Sequence, residues 1–153
     1  MKALIIIDVQ NDFLKDGSLE VPNGNDVIEP INEIINNYSI VVATKDWHPL
    51  DHVSFASNHP GKKVGDIIKV KNHDQILWPK HCVQELSGSD FPKSLNSKAI
   101  KKIVYKGIDS QIDSYSGFHD NARMHSTGLS DYLKAKNVTS IDYVGLVTEY
   151  CVK

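Results

Sequence analysis

The chain has 153 residues, of which 41% are hydrophobic and 24% are charged, and its formal net charge is −2. This composition is typical of one globular domain, and it excludes a disordered chain and, with only two cysteines, a disulfide scaffold. The sequence has no basic run, no long apolar run and no secretory leader, so we expect a cytoplasmic protein that binds neither nucleic acid nor a membrane.

Short apolar segments alternate with helical patterns along the chain. The first segment, residues 3–7, is rich in isoleucine and too short for a helix, so we interpret it as a buried strand. A helical pattern follows over residues 27–35, where Pro30 restricts the first turn. The other predicted elements are strands at 40–43, 67–70, 102–105 and 140–144 and a short helix from Leu129. This alternation predicts a single α/β domain over residues 1–153: a doubly wound, mainly parallel sheet with helices on both faces, in a Rossmann-like three-layer sandwich.

Polar or reactive residues follow four of these strands, namely those at 3–7, 40–43, 102–105 and 140–144. They are Asp8, Asp46, Lys106 and, a short loop beyond the last strand, Cys151. Because the carboxyl ends of parallel strands meet at one edge of a sheet, we expect these side chains to converge, which favours an enzyme. Taken singly, each aspartate is as well explained as a turn or cap residue.

The long segment over residues 47–98 is rich in His, Pro, Gly and Asn and predicts functional loops. It carries His48, His52 and His81 and directly follows Asp46. One aspartate and two histidines, with water in the remaining positions, suit Zn²⁺, Fe²⁺ or Mn²⁺. For any one histidine, a surface or hydrogen-bonding role is the alternative, and the spacing alone leaves both open.

Cys151 is either a buried apolar residue or a nucleophile, and Cys82 is either a buried apolar residue or a spare metal ligand. A thiolate is favoured by an adjacent base or cation. Asp8 can supply the base. Lys106 would keep Asp8 ionised while the carboxylate takes the thiol proton and later gives it to a leaving amine.

Five motifs resemble the nicotinamidase branch of the isochorismatase-like cysteine hydrolases, in order and over the whole chain from Ala3. They are Ile7-Asp8-Val9-Gln10-Asn11-Asp12-Phe13, the segment 44–55 that begins Thr44-Lys45-Asp46-Trp47-His48, Trp78-Pro79-Lys80-His81-Cys82-Val83, the region of Tyr105-Lys106-Gly107 and Tyr115-Ser116-Gly117-Phe118, and Gly145-Leu146-Val147-Thr148-Glu149-Tyr150-Cys151-Val152. Each motif alone is weak evidence, but the set is specific.

The resemblance implies an amidohydrolase that converts nicotinamide to nicotinate and ammonia in NAD salvage. Cys151 would attack the carboxamide carbon to form a thioester, which water then hydrolyses. Asp8 would be the proton shuttle and Lys106 its electrostatic partner. The backbone N–H groups of Val147 and Cys151 would hold the oxyanion, and the Leu146–Val147 peptide bond is expected to be cis.

The resemblance also implies a divalent metal ion, with Zn²⁺ favoured over Fe²⁺ or Mn²⁺, that binds the ring nitrogen of nicotinamide and places the carboxamide over the thiol. Its ligands would be Asp46, His48 and His81. His52 is either a further ligand or a neighbour of the metal site. The substrate pocket would be walled by Phe13, Trp78, Tyr115 and Val147, although aromatic residues at such positions are as often ordinary core.

Two alternatives stay open. Another isochorismatase-like hydrolase would share the Asp, Lys and Cys residues but lack the Asp46-Trp47-His48 and later histidine pattern. The other alternative is a catalytically inactive, truncated metal-binding member of the fold, because the family continues past the nucleophile with a helix and a strand, whereas two residues follow Cys151 here. We therefore expect residues 1–153 to be the front portion of a longer enzyme, and the sequence leaves open whether it forms a homo-oligomer.

Overall fold

A four-stranded parallel sheet forms the centre of the computed structural model, which describes residues 1–147, 150 and 151. The strands are β1 (Lys2–Ile7), β2 (Ile40–Asp46), β3 (Ile67–Val70), β4 (His73–Ile76), β5 (Lys102–Lys106) and β6 (Ser140–Gly145). The α-helices are α1 (Ile28–Ile34) and α2 (Leu129–Ala135). The central sheet has the order β5-β2-β1-β6, and all its neighbouring strands are parallel. β3 and β4 form a separate antiparallel hairpin.

β1 is buried on both faces of the sheet. Alternate side chains of a strand point to opposite faces, and all of the residues in Ala3–Ile7 are apolar and buried. Leu4 and Ile6 pack with α1 on one face. Ile5 and Ile7 pack with α2 on the other face. The predicted doubly wound sheet with helices on both faces is therefore confirmed.

The helices differ in detail from the sequence pattern. α1 begins at Ile28 and carries Pro30 in its first turn, where the missing N–H of proline leaves no helical hydrogen bond unmade. Short 3₁₀ turns over Gly24–Val27 and Ile35–Asn37 flank α1, so the predicted helix over 27–35 is divided into three pieces. None of the helices in the part of the chain that the structure describes is long and apolar enough to cross a membrane.

Two features of the strands were not predicted. β2 and β5 extend beyond their apolar residues, because their parallel pairing continues as far as Asp46 opposite Lys106. β4 has no apolar alternation and was therefore not predictable from local pattern. It forms through a two-residue turn in which Lys71 and Asn72 have φ of 47° and 68°, a conformation that matches the twist of a hairpin.

The turn after β6 brings Cys151 to the end of β1. A Cβ at Gly145 would lie 2.2 Å from the carbonyl oxygen of Ile7, and the Leu146 N–H donates to the same oxygen at 3.0 Å. The chain turns through positive φ at Gly145 (134°) and Val147 (57°), which glycine adopts readily and a β-branched residue does not. The expected cis bond between Leu146 and Val147 is wrong, since no peptide bond within the described residues is cis; the positive φ angles make the turn instead.

Candidate active site

Four buried side chains meet at the carboxyl end of the central sheet. Asp8 follows β1, Asp46 ends β2, Lys106 ends β5, and Cys151 follows the turn after β6. The ammonium Nζ of Lys106 lies 2.9 Å from Asp8 Oδ2 and 3.6 Å from Cys151 Sγ, and it donates to Asp46 Oδ1. The structure therefore brings together the four residues that follow the predicted strands, with Lys106 at their centre.

The charges of Lys106 and Asp46 stabilise each other in this buried position. Burial alone would lower the pKa of Lys106, but Asp46 and Asp8 outweigh it and raise that pKa well above its usual value. Burial would likewise raise the pKa of Asp46, but Lys106 and His48 hold it below its usual range. At neutral pH the pair is thus an ammonium and a carboxylate.

Asp8 and Cys151 lie on either side of the Lys106 ammonium. Burial raises the pKa of the Cys151 thiol well above its usual value, although Lys106 opposes this, so the thiol needs a base to become a nucleophile. Burial also raises the pKa of Asp8, again against Lys106, which makes the carboxylate a better proton acceptor. Thr44 orients this carboxylate, because its hydroxyl donates to Asp8 Oδ1 at 2.6 Å.

Asp46, His48 and His81 form a buried group that fits one divalent cation. Asp46 Oδ2 lies 3.7 Å from His48 Nε2 and 3.8 Å from His81 Nε2, which is too long for hydrogen bonds. His48 Nδ1 lies 3.0 Å from the Gly107 carbonyl oxygen, and His81 Nδ1 lies 2.8 Å from that of Pro79. A carbonyl oxygen only accepts, so Nδ1 carries the proton in each ring and Nε2 is free to bind a metal.

Gly107 fixes the position of the His48 ring, since a Cβ at Gly107 would lie 2.3 Å from His48 Cε1 and 2.5 Å from Nδ1. We expect Gly107→Ala to displace this ring and weaken divalent-metal binding about 10- to 100-fold, measured by competition with a chelating dye. Gly65→Ala is the control for backbone strain, because Gly107 and Gly65 both have a positive φ, of 63° and 91°, but nothing lies within 4 Å of a Cβ at Gly65. Equal metal affinity in the two variants would contradict this role for Gly107.

His52 lies beside the metal group and outside the set that Asp46, His48 and His81 form. Its ring centroid lies 4.2 Å from that of His48, and its Nδ1 accepts from the Ser54 N–H at 3.2 Å. Burial, together with His48, lowers the pKa of His52 to about 4, so the ring is neutral. His52 and Asp113 form a second group around His48, so both alternatives for His52, a further metal ligand or a neighbour of the metal site, stay open.

A cavity of about 270 Å³ opens onto Cys151 and the metal group. The four residues predicted to wall the substrate pocket, Phe13, Trp78, Tyr115 and Val147, all line this cavity together with Asp46, His81 and Cys151. Asp8, Lys106 and His48 do not line it and lie buried behind it. The cavity therefore exposes a thiol and possible metal ligands to the same small volume.

Asp113 and Tyr150 also line this cavity, and neither was predicted as a site residue. The Tyr150 ring packs edge-on against Trp78 and at a steep angle against Tyr115, with centroids 5.4 Å away in each case. The Tyr115 hydroxyl in turn accepts from Trp78 Nε1 at 3.4 Å. Such walls suit a small, flat aromatic ring. The position of Tyr150 next to Cys151 was the one available signal, and Asp113 lies in a loop without any pattern.

The predicted oxyanion site differs from the structure in one bond. The Cys151 N–H donates to the Val147 carbonyl oxygen at 2.8 Å, so this N–H is engaged rather than directed at a substrate. Thr148 and Glu149, which belong to the same motif, lie outside the described residues. Stabilisation of an oxyanion by Cys151 stays a prediction, and it requires the release of this hydrogen bond.

The fold and the site define an α/β enzyme of the hydrolase class, with its reactive groups at the carboxyl end of a parallel sheet. The chain belongs to the isochorismatase family, whose domain model matches residues 2–114. It is similar to the nicotinamidase of Acinetobacter baylyi, with 41% identity over 98% of this chain and 70% of that protein. It is also similar to the nicotinamidase of Escherichia coli, with 38% identity over 99% of this chain and 73% of that protein.

Solved structures give the same relationship. A nicotinamidase and pyrazinamidase of Acinetobacter baumanii matches with a TM-score of 0.96 and 40% identity, over 99% of this chain and 73% of that chain. The yeast nicotinamidase bound to the inhibitor nicotinaldehyde matches with a TM-score of 0.93 and 36% identity, over 99% and 78%. The pyrazinamidase of Pyrococcus horikoshii in complex with zinc matches with a TM-score of 0.76 and 34% identity, over 99% and 73%.

Proposed function

We propose that the chain hydrolyses nicotinamide to nicotinate and ammonia, as a step of NAD salvage. The supporting observation is that one cavity opens onto two reactive groups that lie side by side. One is a thiol in contact with a buried ammonium, and the other is the group formed by Asp46, His48 and His81. Nicotinamide offers a partner to each part: a carboxamide to the thiol and a ring nitrogen to a metal. The identity of 38–41% to two nicotinamidases supports the same substrate.

Cys151 is the nucleophile in this proposal. Asp8 takes the proton from the Sγ atom as that atom attacks the carboxamide carbon, and Asp8 then gives the proton to the amide nitrogen, which leaves as ammonia. The acyl group stays on Cys151 as a thioester. Asp8 next takes a proton from a water molecule that attacks the thioester carbon, and it returns this proton to Sγ as the C–S bond breaks. The released acid gives its own proton to solvent and becomes nicotinate.

Lys106 supports both proton transfers without giving up its own proton. Its ammonium lies 2.9 Å from Asp8 Oδ2 and 3.6 Å from Cys151 Sγ, so it stabilises negative charge on whichever atom holds it. The surrounding carboxylates raise its pKa, which keeps it charged throughout. Because the ammonium is buried, its effect is larger than that of the same charge at a surface.

Asp46, His48 and His81 would hold a divalent ion, and we propose that it is Zn²⁺, which takes carboxylate oxygen and imidazole nitrogen as ligands. The zinc in the Pyrococcus horikoshii pyrazinamidase supports this choice. When bound, the ion supplies a Lewis-acid contact for the pyridine nitrogen and so holds the carboxamide near Cys151. The cytoplasmic location stays a prediction from the sequence, which leaves the oligomeric state open.

The aromatic walls hold the pyridine ring flat in the cavity. Phe13, Trp78 and Tyr115 line it, and the edge-on packing of Tyr150 against Trp78 fixes the orientation of the walls. Val147 also lines the cavity, and we propose that its backbone contacts the carboxamide.

Ammonia release from nicotinamide tests the proposed function. We expect the chain to release ammonia when loaded with Zn²⁺ and to lose at least ~100-fold in rate after chelation or in His48→Ala, which removes a ligand. His73→Ala is the control, because His73 is an exposed residue of β4 outside the site. Full activity in the chelated chain, or hydrolysis of isochorismate in place of nicotinamide, would contradict the proposal.

A further inference from the structure

The metal group is connected to a carboxylate outside the cavity. We propose that Asp12 is a positioning residue for the metal site, which acts by fixing the backbone of Cys82 and, through it, His48 and His81. This inference rests on the proposed function in one respect, namely that Asp46, His48 and His81 bind a divalent ion. Asp12 itself is half-buried and does not line the substrate cavity.

The two backbone groups of Cys82 connect Asp12 to both histidines. Asp12 Oδ2 accepts from the Cys82 N–H at 2.7 Å. The Cys82 carbonyl oxygen accepts from the His48 N–H at 3.0 Å, and His81 directly precedes Cys82 in the chain. A shift of the Cys82 backbone therefore moves both imidazoles relative to Asp46.

Cys82 has an unfavourable backbone conformation that needs such support. Its φ is 47°, in the left-handed region that residues with a Cβ avoid. Its thiol makes no polar contribution, since it is fully buried in the apolar cluster with Val9 and Phe13. The charge-assisted hydrogen bond from the Cys82 N–H to the Asp12 carboxylate is thus the contact that offsets the strain.

Gly88 provides the space that the Asp12 carboxylate occupies. A Cβ at Gly88 would lie 2.1 Å from Asp12 Oδ2 and 2.4 Å from Oδ1. Gly88 lies in the short 3₁₀ helix Ser87–Ser89 and outside the left-handed region, so alanine there would act by contact with the carboxylate and not through its own backbone. Gly88→Ala consequently displaces Asp12 without removing its charge.

Metal affinity measured with Co²⁺ tests this inference, because the visible absorption of Co²⁺ reports its coordination independently of catalysis. We expect Asp12→Ala and Gly88→Ala each to bind Co²⁺ about 10- to 100-fold more weakly than the unchanged chain. Adding Cys82→Gly to Asp12→Ala should restore at least ~10-fold of the loss, because glycine adopts positive φ without support. Asp90→Ala is the control, since Asp90 is an exposed carboxylate on a neighbouring loop.

Recovery by Cys82→Gly separates positioning from a general loss of stability, because removing the buried Cys82 side chain from the apolar cluster would destabilise the fold further. Unchanged Co²⁺ affinity in Asp12→Ala, or no recovery in the double variant, overturns the inference. If Asp12→Ala does not fold, Asp12→Asn and Gly88→Ala decide between the outcomes. Near-normal Co²⁺ affinity in Asp12→Asn, which keeps a hydrogen-bond acceptor, together with weak affinity in Gly88→Ala supports the inference. Weak affinity in Asp12→Asn together with near-normal affinity in Gly88→Ala overturns it. If the unchanged chain binds Co²⁺ tightly and Asp46→Ala abolishes this binding, the proposed metal site stands whatever the result for Asp12. If the unchanged chain does not bind Co²⁺, both the proposed metal site and the role of Asp12 are overturned.

Discussion

Cys151→Ala is expected to release ammonia from nicotinamide at least ~10⁴ times more slowly than the unchanged chain, because it has no atom that can form the thioester. The thiol lines the cavity and lies 3.6 Å from the Lys106 ammonium. Alanine there removes one atom and leaves the metal group and the aromatic walls in place. Steady-state ammonia release at saturating nicotinamide and a fixed Zn²⁺ concentration measures the loss.

Two further measurements on Cys151→Ala separate a lost nucleophile from a damaged site. The variant should bind Co²⁺ as tightly as the unchanged chain, since Cys151 is outside the metal group. It should also bind nicotinamide, by calorimetry, with an affinity similar to that of the unchanged chain. Ammonia release within tenfold of normal would contradict the role of Cys151, whereas a parallel loss of metal affinity would assign the effect to the structure of the site.

Lys106→Met is the second variant with a large expected effect, and this effect is on stability. Removing the Lys106 ammonium leaves the carboxylates of Asp8 and Asp46 buried without their shared cation. Removing one partner of a buried ion pair costs about 3–5 kcal/mol, because the other partner stays buried and uncompensated. We expect the free energy of unfolding to fall by this amount and the Tm of the metal-free chain to fall by about 10 °C.

An exposed ion pair gives the matched control for Lys106→Met. Lys69 and Asp74 lie 2.7 Å apart on the hairpin, with side chains 71% and 64% exposed, so Lys69→Met should cost less than ~1 kcal/mol. Adding Asp8→Asn to Lys106→Met should recover part of the lost stability, because the amide carries no charge to compensate. A Tm for Lys106→Met equal to that of Lys69→Met would show that the buried cluster contributes nothing to stability.

The parts of the fold that the sequence predicted are those that local pattern determines. The apolar residues of β1 could only form a strand buried on both faces, and β3 was predicted with the bounds that the structure has. The polar ends of β2 and β5 were not predictable, because Asp46 and Lys106 belong to strands only through their pairing with each other. β4 likewise depends on its partner β3 and on a turn with positive φ.

The candidate site divides in the same way. The rule that parallel strands end at a common edge was sufficient to place Asp8, Asp46 and Lys106 together. The positions of Asp113, Tyr150 and Gly107 relative to the cavity depend on how distant loops pack, which no short-range pattern encodes. The same holds for the turn after β6, where the structure has positive φ angles and a trans peptide bond in place of the expected cis bond.

Trapping the acyl group on the chain tests the central proposal most directly. The Zn²⁺-loaded chain is mixed with nicotinamide, quenched in acid during turnover and digested, and the masses of its peptides are measured. We expect the peptide that contains Cys151 to carry one nicotinoyl group, and the same peptide from Cys151→Ala to carry none. Ammonia release without a nicotinoyl group on Cys151, or with that group on another residue, would contradict the proposed mechanism.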